Sequence, residues 1–325
     1  MQSVYINEEK QVYPIIFEMN YGQLRSINCY LYKHGSKLTL IDAGLDIPEY
    51  RIFFEEQLAA YGFQIGDIDQ ILLTHHHEDH IGLVNYIIEQ NPIPVYAHPL
   101  ALPRLDFTEE YQIQKKTFFS QLYRQYGCEE IAQKRLLKMQ KTMGNSEHLK
   151  IKTTITALHH DDMLDDLQVI AVPGHSPDSI MFYDQQTKWL FVGDLVMYKG
   201  TTNAIIDHNE EGQLLPTVMQ YRNSLELCLK YDVSTVFSGH QQVFSNLHEI
   251  IQKNLSRIEY KLNRVTKKVI EGNETILQLA SAIYGERMNK EMTLILSEII
   301  GYTMYAEMMG EVKRVQKEMG WHFYR

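Results

Sequence analysis

The feature that most constrains this chain is a histidine-dense hexapeptide that follows an apolar segment. Residues Ile68–Thr74 are predicted to form a short buried strand, which runs directly into His75-His76-His77-Glu78-Asp79-His80. A polar loop at a strand end is a common place for functional side chains, because the sheet fixes the loop while ligands can reach it. Zinc accepts imidazole and carboxylate ligands together, and four such donors lie within these six positions: His75, His77, Asp79 and His80.

Taken alone, this loop leaves two interpretations open. It could supply the ligands of a catalytic metal centre, in which one short loop serves two ions. It could equally carry solvated surface histidines that bind metal only adventitiously. The rest of the chain has to distinguish the two.

Hydrophobic periodicity predicts that strands and helices alternate over about the first 250 residues. A β-meander opens the chain, with turns near Gly22 and Gly35. The predicted strands are Tyr13–Phe17, Asn28–Tyr32, Leu38–Ile41, Ile68–Thr74, Pro94–Ala97, Ile151–Leu158, Leu167–Val172, Ile180–Tyr183, Trp189–Val192 and Val233–Phe237. Helices are predicted at Glu49–Tyr61, Leu83–Gln90 and Pro216–Lys230.

Residues from about 104 to 145 interrupt this alternation and carry helical spacing, with a break at Gly127. We interpret them as an inserted helical pair. Its aromatic stripe, which includes Phe118, Phe119 and Tyr123, either packs the pair against the rest of the fold or forms a lid with an apolar acyl-binding wall. Insertions beside active sites commonly shape specificity, which favours the lid.

The last part of the chain is predicted to be a small, mainly helical module. Helices are predicted at Leu247–Val269, Thr275–Tyr284 and Lys290–Glu307, followed by strands at Val312–Val315 and Trp321–Tyr324. Residues 251–325 hold 12 Lys and Arg against 9 Asp and Glu, whereas the whole chain has a net charge of -10. This asymmetry places a domain boundary near residue 250, between domains 1–250 and 251–325.

The histidine loop, one motif before it and three motifs after it resemble the sequence motifs of the metallo-β-lactamase superfamily. Residues Thr74–His80 are similar to its HxHxDH signature. Four further residues lie in matching contexts and in the expected order: Asp42 before Ala43-Gly44, His175 after Pro173-Gly174, Asp194 after Val192-Gly193 and His240 after Ser238-Gly239. The resemblance spans about residues 12–245 and implies an α/β fold, an αββα sandwich with its metals at one edge of the two sheets.

The resemblance also implies a ligand set. One ion would be held by His75, His77 and His175, and the second by Asp79, His80 and His240, with Asp194 bridging them. Asp42 would hold the histidine loop in place without touching metal. We expect two divalent ions, zinc first, with iron or manganese as alternatives, since these metals share imidazole and carboxylate ligands.

Two positions depart from the family pattern. Leu83 and Gln241 stand where many members have glycine, so the pocket wall near them is expected to be specialised.

Hydrolysis is the reaction class that this centre implies. Water between two divalent ions ionises near neutral pH, and Asp79 is expected to orient the hydroxide and to accept a proton. A small ester, thioester or lactone is the favoured substrate, on a ligand set like that of glyoxalase II. The alternatives are an endoribonuclease or phosphodiesterase, to which a winged-helix-like C-terminal module would point, and a metal-binding interaction protein that has lost activity.

Other candidate residues receive weaker functional predictions. His76 is expected to face away from the metals, and Tyr198 is a candidate hydrogen-bond donor to substrate, with packing as the favoured role. The run His159–Asp162 is predicted to be a solvated turn. No site role is predicted for the remaining histidines, which are His34, His98, His148, His208, His248 and His322.

The overall composition bears on the type of fold, the class of ligand and the cellular compartment of the protein. Hydrophobic residues make up 44% and charged residues 22% of the 325, which predicts a packed globular core. The acidic balance disfavours a polyanion partner, so a small molecule is the expected ligand, nucleic acid is not favoured and a homodimer is an open possibility. Three separated cysteines and the lack of a signal-like or membrane-length apolar segment predict a cytoplasmic, reduced protein.

Overall fold

A computed structural model of the chain describes residues 3–19, 25–143 and 150–325. The predicted turn at Gly22 and the prediction for His148 lie outside the described residues. The described strands are β1 (Tyr5–Asn7), β2 (Lys10–Glu18), β3 (Ser26–His34), β4 (Lys37–Ile41), β5 (Gln70–Leu72), β6 (Val95–Ala97), β7 (Ile155–Ala157), β8 (Met163–Leu164), β9 (Leu167–Ala171), β10 (Ile180–Asp184), β11 (Trp189–Gly193), β12 (Thr235–Ser238), β13 (Lys313–Lys317) and β14 (Gly320–Tyr324).

The helices follow the predicted pattern, with short additions. They are α1 (Pro48–Ala60), α2 (Glu78–Ile81), α3 (Val84–Gln90), α4 (Leu102–Leu105), α5 (Glu109–Gln125), α6 (Glu129–Met143), α7 (Thr217–Cys228), α8 (Leu247–Ile270), α9 (Ile276–Tyr284) and α10 (Met288–Met308). None of the helices in the described ranges is long and apolar enough to cross a membrane.

Two sheets build the sandwich. The first has seven strands in the order β1 to β7, antiparallel through β4 and parallel from β4 onward. The second has the order β12-β11-β10-β9-β8 and is antiparallel except for the β11–β12 pair. Parallel neighbours end at the same edge of a sheet, so the loops that follow β5, β11 and β12 can meet at one edge of the sandwich.

Side chains alternate between the two faces of each strand, so the core has three layers: one between the two sheets and one on the outer face of each sheet. On β3, Tyr30 and Tyr32 pack between the sheets against Phe182 and Phe191, because successive side chains point to opposite faces. The intervening Leu31 packs outward, in the cluster formed with helices α1 and α3. The outer face of the second sheet is covered by helices α5 and α7 to α10. These layers confirm the predicted αββα sandwich.

The inserted helical pair is present as predicted, as α5 and α6. Its break at Gly127 has a φ of +66°, and a Cβ there would lie 2.1 Å from the Met319 carbonyl oxygen in the turn between β13 and β14. Tyr126 stacks on Phe323 of β14, with 6.3 Å between ring centroids. The aromatic stripe of the pair is buried in the core that it shares with the C-terminal helices, so packing accounts for most of it.

The C-terminal residues form three helices and a hairpin. Helix α8 runs through residue 250 without interruption. Its buried residues Ile251, Ile258 and Leu262 belong to the same apolar cluster as Leu190 and Val192 of the second sheet. The core is therefore continuous across the predicted domain boundary, and the module packs directly on the sandwich.

Several predicted strands are shorter than their apolar runs. Only Ile155–Ala157 of the predicted strand Ile151–Leu158 is paired, and only Gln70–Leu72 of Ile68–Thr74. Edge strands β1 and β8 were not predicted. The histidine loop itself contains the one-turn helix α2, which begins after His77.

Candidate metal centre

Four loops bring the predicted ligands together at one edge of the sandwich. The histidine loop follows β5, His175 follows β9, Asp194 comes directly after β11, and His240 follows β12. Each donor is therefore carried by a loop whose starting point is fixed in a sheet. All seven predicted ligands belong to donor groups whose atoms lie within 4.8 Å of one another: His75, His77, Asp79, His80, His175, Asp194 and His240.

The first donor group consists of three imidazoles. His77 Nδ1 lies 3.0 Å from His75 Nε2 and 3.0 Å from His175 Nε2. Imidazole nitrogens that bind one zinc ion at about 2.0–2.1 Å must approach each other in this way. His77 presents its Nδ1 and its two neighbours present Nε2.

The second donor group contains two imidazoles and a carboxylate. His240 Nε2 lies 3.6 Å from Asp79 Oδ2, and His80 Nε2 lies 3.9 Å from Asp79 Oδ1. Both histidines are almost completely buried, whereas the Asp79 side chain is 24% exposed. Asp79 is thus the member of this group that faces solvent.

Asp194 lies between the two groups. Its Oδ2 is 3.4 Å from His175 Nε2 in the first group and 3.2 Å from His240 Nε2 in the second. Its Oδ1 is 3.3 Å from His80 Nε2. A carboxylate with both oxygens turned toward different donor groups is suited to contact two ions at once.

Hydrogen bonds on the far side of the rings fix which nitrogens face inward. His175 Nδ1 donates to the Asn203 carbonyl at 3.0 Å, and His240 Nδ1 donates to the Ser26 carbonyl at 2.7 Å. A carbonyl oxygen can only accept, so the proton is on Nδ1 and the inward Nε2 keeps its lone pair. His80 Nδ1 is held in the same way by Asp42 Oδ2 at 2.8 Å.

Two buried polar atoms at the centre lack a hydrogen-bond partner, namely His80 Nε2 and Asp194 Oδ1. Buried polar atoms without a partner are costly, and native proteins leave few of them. A metal ion between these two atoms would remove that cost. The residues present therefore fit the divalent metals that the donor set favours.

Electrostatics divide the centre into two parts. Burial, together with neighbouring histidine rings, lowers the pKa of His75 and His77 well below their usual range, which keeps both rings neutral. Burial also opposes protonation of His80, but the carboxylates of Asp194 and Asp42 outweigh it and raise the His80 pKa. Burial would raise the Asp194 pKa, yet His240 and His80 hold it well below its usual range. The Asp194 side therefore favours positive charge, from protons or from metal ions.

A family model for the metallo-β-lactamase superfamily matches residues 22–240, which include every residue of this centre. The chain belongs to the metallo-β-lactamase superfamily. It is similar to a probable metallo-hydrolase, YqjP, of Bacillus subtilis, with 27% identity over 84% of this chain and 85% of that protein.

Two further proteins are similar over most of the chain. The atrochrysone carboxyl ACP thioesterase nsrC of Aspergillus novofumigatus is 23% identical over 85% of this chain and 71% of that protein. The solved structure of the family protein TTHA1429 of Thermus thermophilus matches with a TM-score of 0.76 at 19% identity, over 97% of this chain and 98% of that one. The second likeness extends the common fold through the C-terminal module.

Gln241, one of the two departures from the superfamily pattern, has a structural role. Its φ is +67°, a left-handed conformation in which glycine is favoured. Its side chain accepts from the Lys199 backbone N–H at 2.8 Å and donates to the Lys199 carbonyl at 2.9 Å. The Gln241 side chain thus holds the loop after Asp194 next to His240. Leu83, the other departure, is fully buried in the core of the first sheet.

His76 points away from the donor groups, as predicted. Its Nδ1 lies 2.7 Å from Asp178 Oδ1, and its backbone N–H donates to Asp178 Oδ2 at 2.8 Å. Asp178 is fully buried. It ties the histidine loop to the loop that carries His175. This role could not be predicted from the sequence, because a single Asp near His175 has no distinguishing spacing.

The remaining candidates are not members of the donor groups. The Tyr198 ring packs on Phe244, with 5.9 Å between centroids. The run His159–Asp162 is an exposed turn, in which the His159 N–H donates to Asp162 Oδ2 at 2.7 Å. Asn203 and Ser26 orient His175 and His240 of the donor groups through their backbone carbonyls. Their side chains are not involved, so the sequence could not indicate this role.

Proposed function

We propose that this protein is a hydrolase in which a binuclear metal centre cleaves a small ester, thioester or lactone. The observation that carries the proposal is the position of Asp194 between two donor groups, 3.4 Å from His175 and 3.2 Å from His240. Two cations close together repel each other, and a shared carboxylate offsets that repulsion.

We assign one ion to His75, His77 and His175, and the other to Asp79, His80 and His240, with Asp194 shared. This ligand set is glyoxalase-II-like. Zinc is the expected metal, with iron or manganese as alternatives, because all three accept imidazole and carboxylate. Metals bound here would polarise the substrate carbonyl and lower the pKa of bound water.

The protein groups around the metals have separate tasks. Asp79 is our candidate for orienting the attacking water and accepting a proton, since it is the accessible carboxylate of the centre. Asp42, Asn203 and Ser26 hold ligand rings in one tautomer. A fixed ring orientation lowers the cost of reorganisation during the reaction.

A small acyl substrate is favoured over nucleic acid. One similar protein is named as an acyl-carrier-protein thioesterase, and the likeness covers 71% of its length. The three helices and hairpin at the C-terminus have the order of a winged helix. Two basic residues of its hairpin are paired with carboxylates, however: Arg314 lies 3.2 Å from Glu307, and Lys317 lies 3.0 Å from Glu274. With 12 Lys and Arg against 9 Asp and Glu in residues 251–325, the module offers only a small excess of positive charge to phosphates.

Two further proposals concern the cellular compartment and the oligomeric state. The three cysteines are buried and unpaired, and burial raises the pKa of Cys29, Cys128 and Cys228 to about 12 each. Unreactive thiols suit a reducing, cytoplasmic setting. Homodimer formation stays a prediction.

A substrate panel tests the proposal. Short-chain thioesters, esters, lactones and single-stranded RNA are offered to the metal-loaded protein, before and after a chelator and after metal is restored. We expect thioester, ester or lactone hydrolysis that the chelator abolishes and metal restores. His77→Ala should lose the activity, and His159→Ala, in the exposed turn, should retain it. Cleavage of RNA alone would favour the phosphodiesterase alternative, and activity that survives metal removal would contradict the proposal.

A further inference from the structure

Three cations gather where the helical insertion meets the loop after the metal centre. They are Arg104 at the end of α4, Lys115 on α5 and Arg135 on α6. Arg104 is only 8% exposed. Its Nη1 donates to the Leu100 carbonyl at 2.7 Å and its Nη2 lies 3.2 Å from Asp207 Oδ2, but its buried Nε has no partner.

Tyr111 lies between two of these cations. Its ring centroid is 5.2 Å from the Arg104 guanidinium carbon and 5.5 Å from Lys115 Nζ. Its hydroxyl is buried and has no hydrogen-bond partner. Two donors, the Arg104 Nε–H and the Tyr111 hydroxyl, are therefore left unused in the same small region.

Lys115 is a cation of this group that lacks a directly bonded counter-ion in the described part of the chain. Asp207 is paired with Arg104, whereas within the described ranges Lys115 has neither an ion pair nor a hydrogen bond. Burial lowers the pKa of Lys115; Asp207 opposes this, and Arg104 and Arg135 add to it. Burying a cation is costly unless it is paired, so an anionic ligand beside Lys115 would lower that cost.

The region borders the metal centre. Glu78, which stands between the proposed ligands His77 and Asp79, raises the pKa of Lys115. Arg104 lowers the pKa of Asp178, the partner of His76. Asp207 belongs to the loop in which Asn203 holds His175. A substrate at the metals can therefore extend toward these cations.

We propose that Arg104, Tyr111 and Lys115 form a subsite for an anionic group of the substrate, a carboxylate or a phosphate. The inference rests on the proposed function and specifies its substrate class: a thioester or ester that carries a negative charge outside the reacting carbonyl. A charged acceptor would supply a partner for the Arg104 Nε–H, the Tyr111 hydroxyl and the Lys115 ammonium group, and charge-assisted hydrogen bonds are the stronger kind.

Two pairs of thioesters separate the sources of the anion. S-glutaryl-N-acetylcysteamine is compared with the S-pentanoyl compound, which has the same chain length without the carboxylate. S-pentanoyl-phosphopantetheine is compared with S-pentanoyl-pantetheine, which lacks the phosphate. The first pair places the charge on the acyl group and the second on the thiol. We expect the anionic member of one pair to have a kcat/KM at least about tenfold higher, mainly through KM.

Lys115→Met should reduce that preference toward one, since methionine keeps the length of the side chain without its charge. Lys138→Met, on the exposed face of α6, is the matched control and should keep the preference. Thermal unfolding shows whether each variant is folded. Equal kcat/KM within both pairs in the unaltered protein, or a preference that survives Lys115→Met, would overturn the subsite.

Absence of thioester hydrolysis would count against the proposed function alone. A binding measurement tests the subsite in that case as well. The Tm of the full chain is followed at rising glutarate or inorganic phosphate, because a ligand of the folded state raises it. We expect a rise that Lys115→Met removes and Lys138→Met retains. No rise with either anion, or the same rise in both variants, would overturn the subsite.

Discussion

Asp42 binds His80 from behind the metal centre, with 2.8 Å between Asp42 Oδ2 and His80 Nδ1. Its other oxygen accepts the Thr74 backbone N–H at 2.8 Å. One buried carboxylate thus joins the residue before the histidine loop to the last residue of that loop. Its φ of +58° is a conformation that Asp and Asn tolerate better than most residues.

Asp42→Asn should weaken metal binding without unfolding the protein. Asn keeps the size and the backbone preference, but its NH2 group cannot accept a hydrogen bond, so one contact to Thr74 or His80 is lost. Loss of such a supporting contact typically costs about 10–100-fold in metal affinity. Competition with a chromogenic chelator measures it. Asp46→Asn, at an exposed pair with Arg51, is the control, and equal affinities in both variants would contradict the role of Asp42.

Gly239→Ala should disturb the centre from its other side. A Cβ at this position would lie 2.5 Å from Asp194 Oδ1 and 2.6 Å from His80 Cε1. Both contacts are shorter than van der Waals separation, so the shared carboxylate has to move. We expect reduced metal content and activity with little change in far-UV circular dichroism. Gly66→Ala, whose Cβ would be 3.8 Å from its nearest neighbour, should bind metal normally; normal binding in Gly239→Ala as well would refute this account.

Lys10→Met tests the link between the two sheets. Lys10 Nζ lies 2.8 Å from the fully buried Asp184. Burial raises the Asp184 pKa, but hydrogen bonds from Lys10 and Tyr32 outweigh it and lower the pKa overall. A lowered folded-state pKa stabilises the fold above the unfolded pKa, and that stabilisation is lost as pH falls through the folded value.

We therefore expect Lys10→Met to lower the free energy of unfolding by about 3–5 kcal/mol near neutral pH, because it leaves a buried charge unpaired. The loss should shrink in acid, where Asp184 becomes protonated. Urea unfolding over a range of pH provides the measurement. Lys37→Met, which breaks a half-exposed pair with Asp165, should cost less than about 1 kcal/mol. A similar, pH-independent loss in both variants would disagree with a buried pair.

Removal of residues 251–325 should yield a protein that aggregates. Ile251, Ile258 and Leu262 of α8 cover Leu190 and Val192 in one apolar cluster, and truncation would expose that face of the second sheet. Large exposed apolar patches drive association. Size-exclusion chromatography of the truncated chain measures the effect. A soluble monomer with its metal content unchanged would show instead that the predicted boundary at residue 250 separates independent units.

Local patterns in the sequence predicted the alternating strands and helices, whereas the sandwich and the set of donors were predicted from the resemblance to the superfamily. The donors follow strand ends in short motifs, so the residues that approach each other across four loops could be named beforehand. Strand lengths were overestimated where an apolar run is buried by helices without pairing, as at Ile151. Helix α2 was missed because one turn containing His80 is too short for periodicity to show.

The supporting residues could not be predicted, for a different reason. Asp178 and Lys115 are single charged residues whose neighbours in sequence do not mark them as buried. Asp178 contacts His76, which is distant along the chain. Lys115 lies over the ring of Tyr111, four residues earlier on α5, but that spacing does not show that the helix packs with this side chain half-buried. Such relationships arise from tertiary packing and leave no periodic signal.

Metal stoichiometry tests the central claim most directly. Elemental analysis of the purified protein, of Asp194→Ala and of His76→Ala gives the number of ions per chain. We predict about two ions per chain for the unaltered protein, since paired sites need both ions. Asp194→Ala should contain fewer, because it removes the carboxylate between the donor groups. His76→Ala should contain about two, because the His76 ring is bonded to Asp178. A protein that contains no metal and takes up none on reconstitution, or equal losses in the two variants, would contradict the proposed binuclear centre.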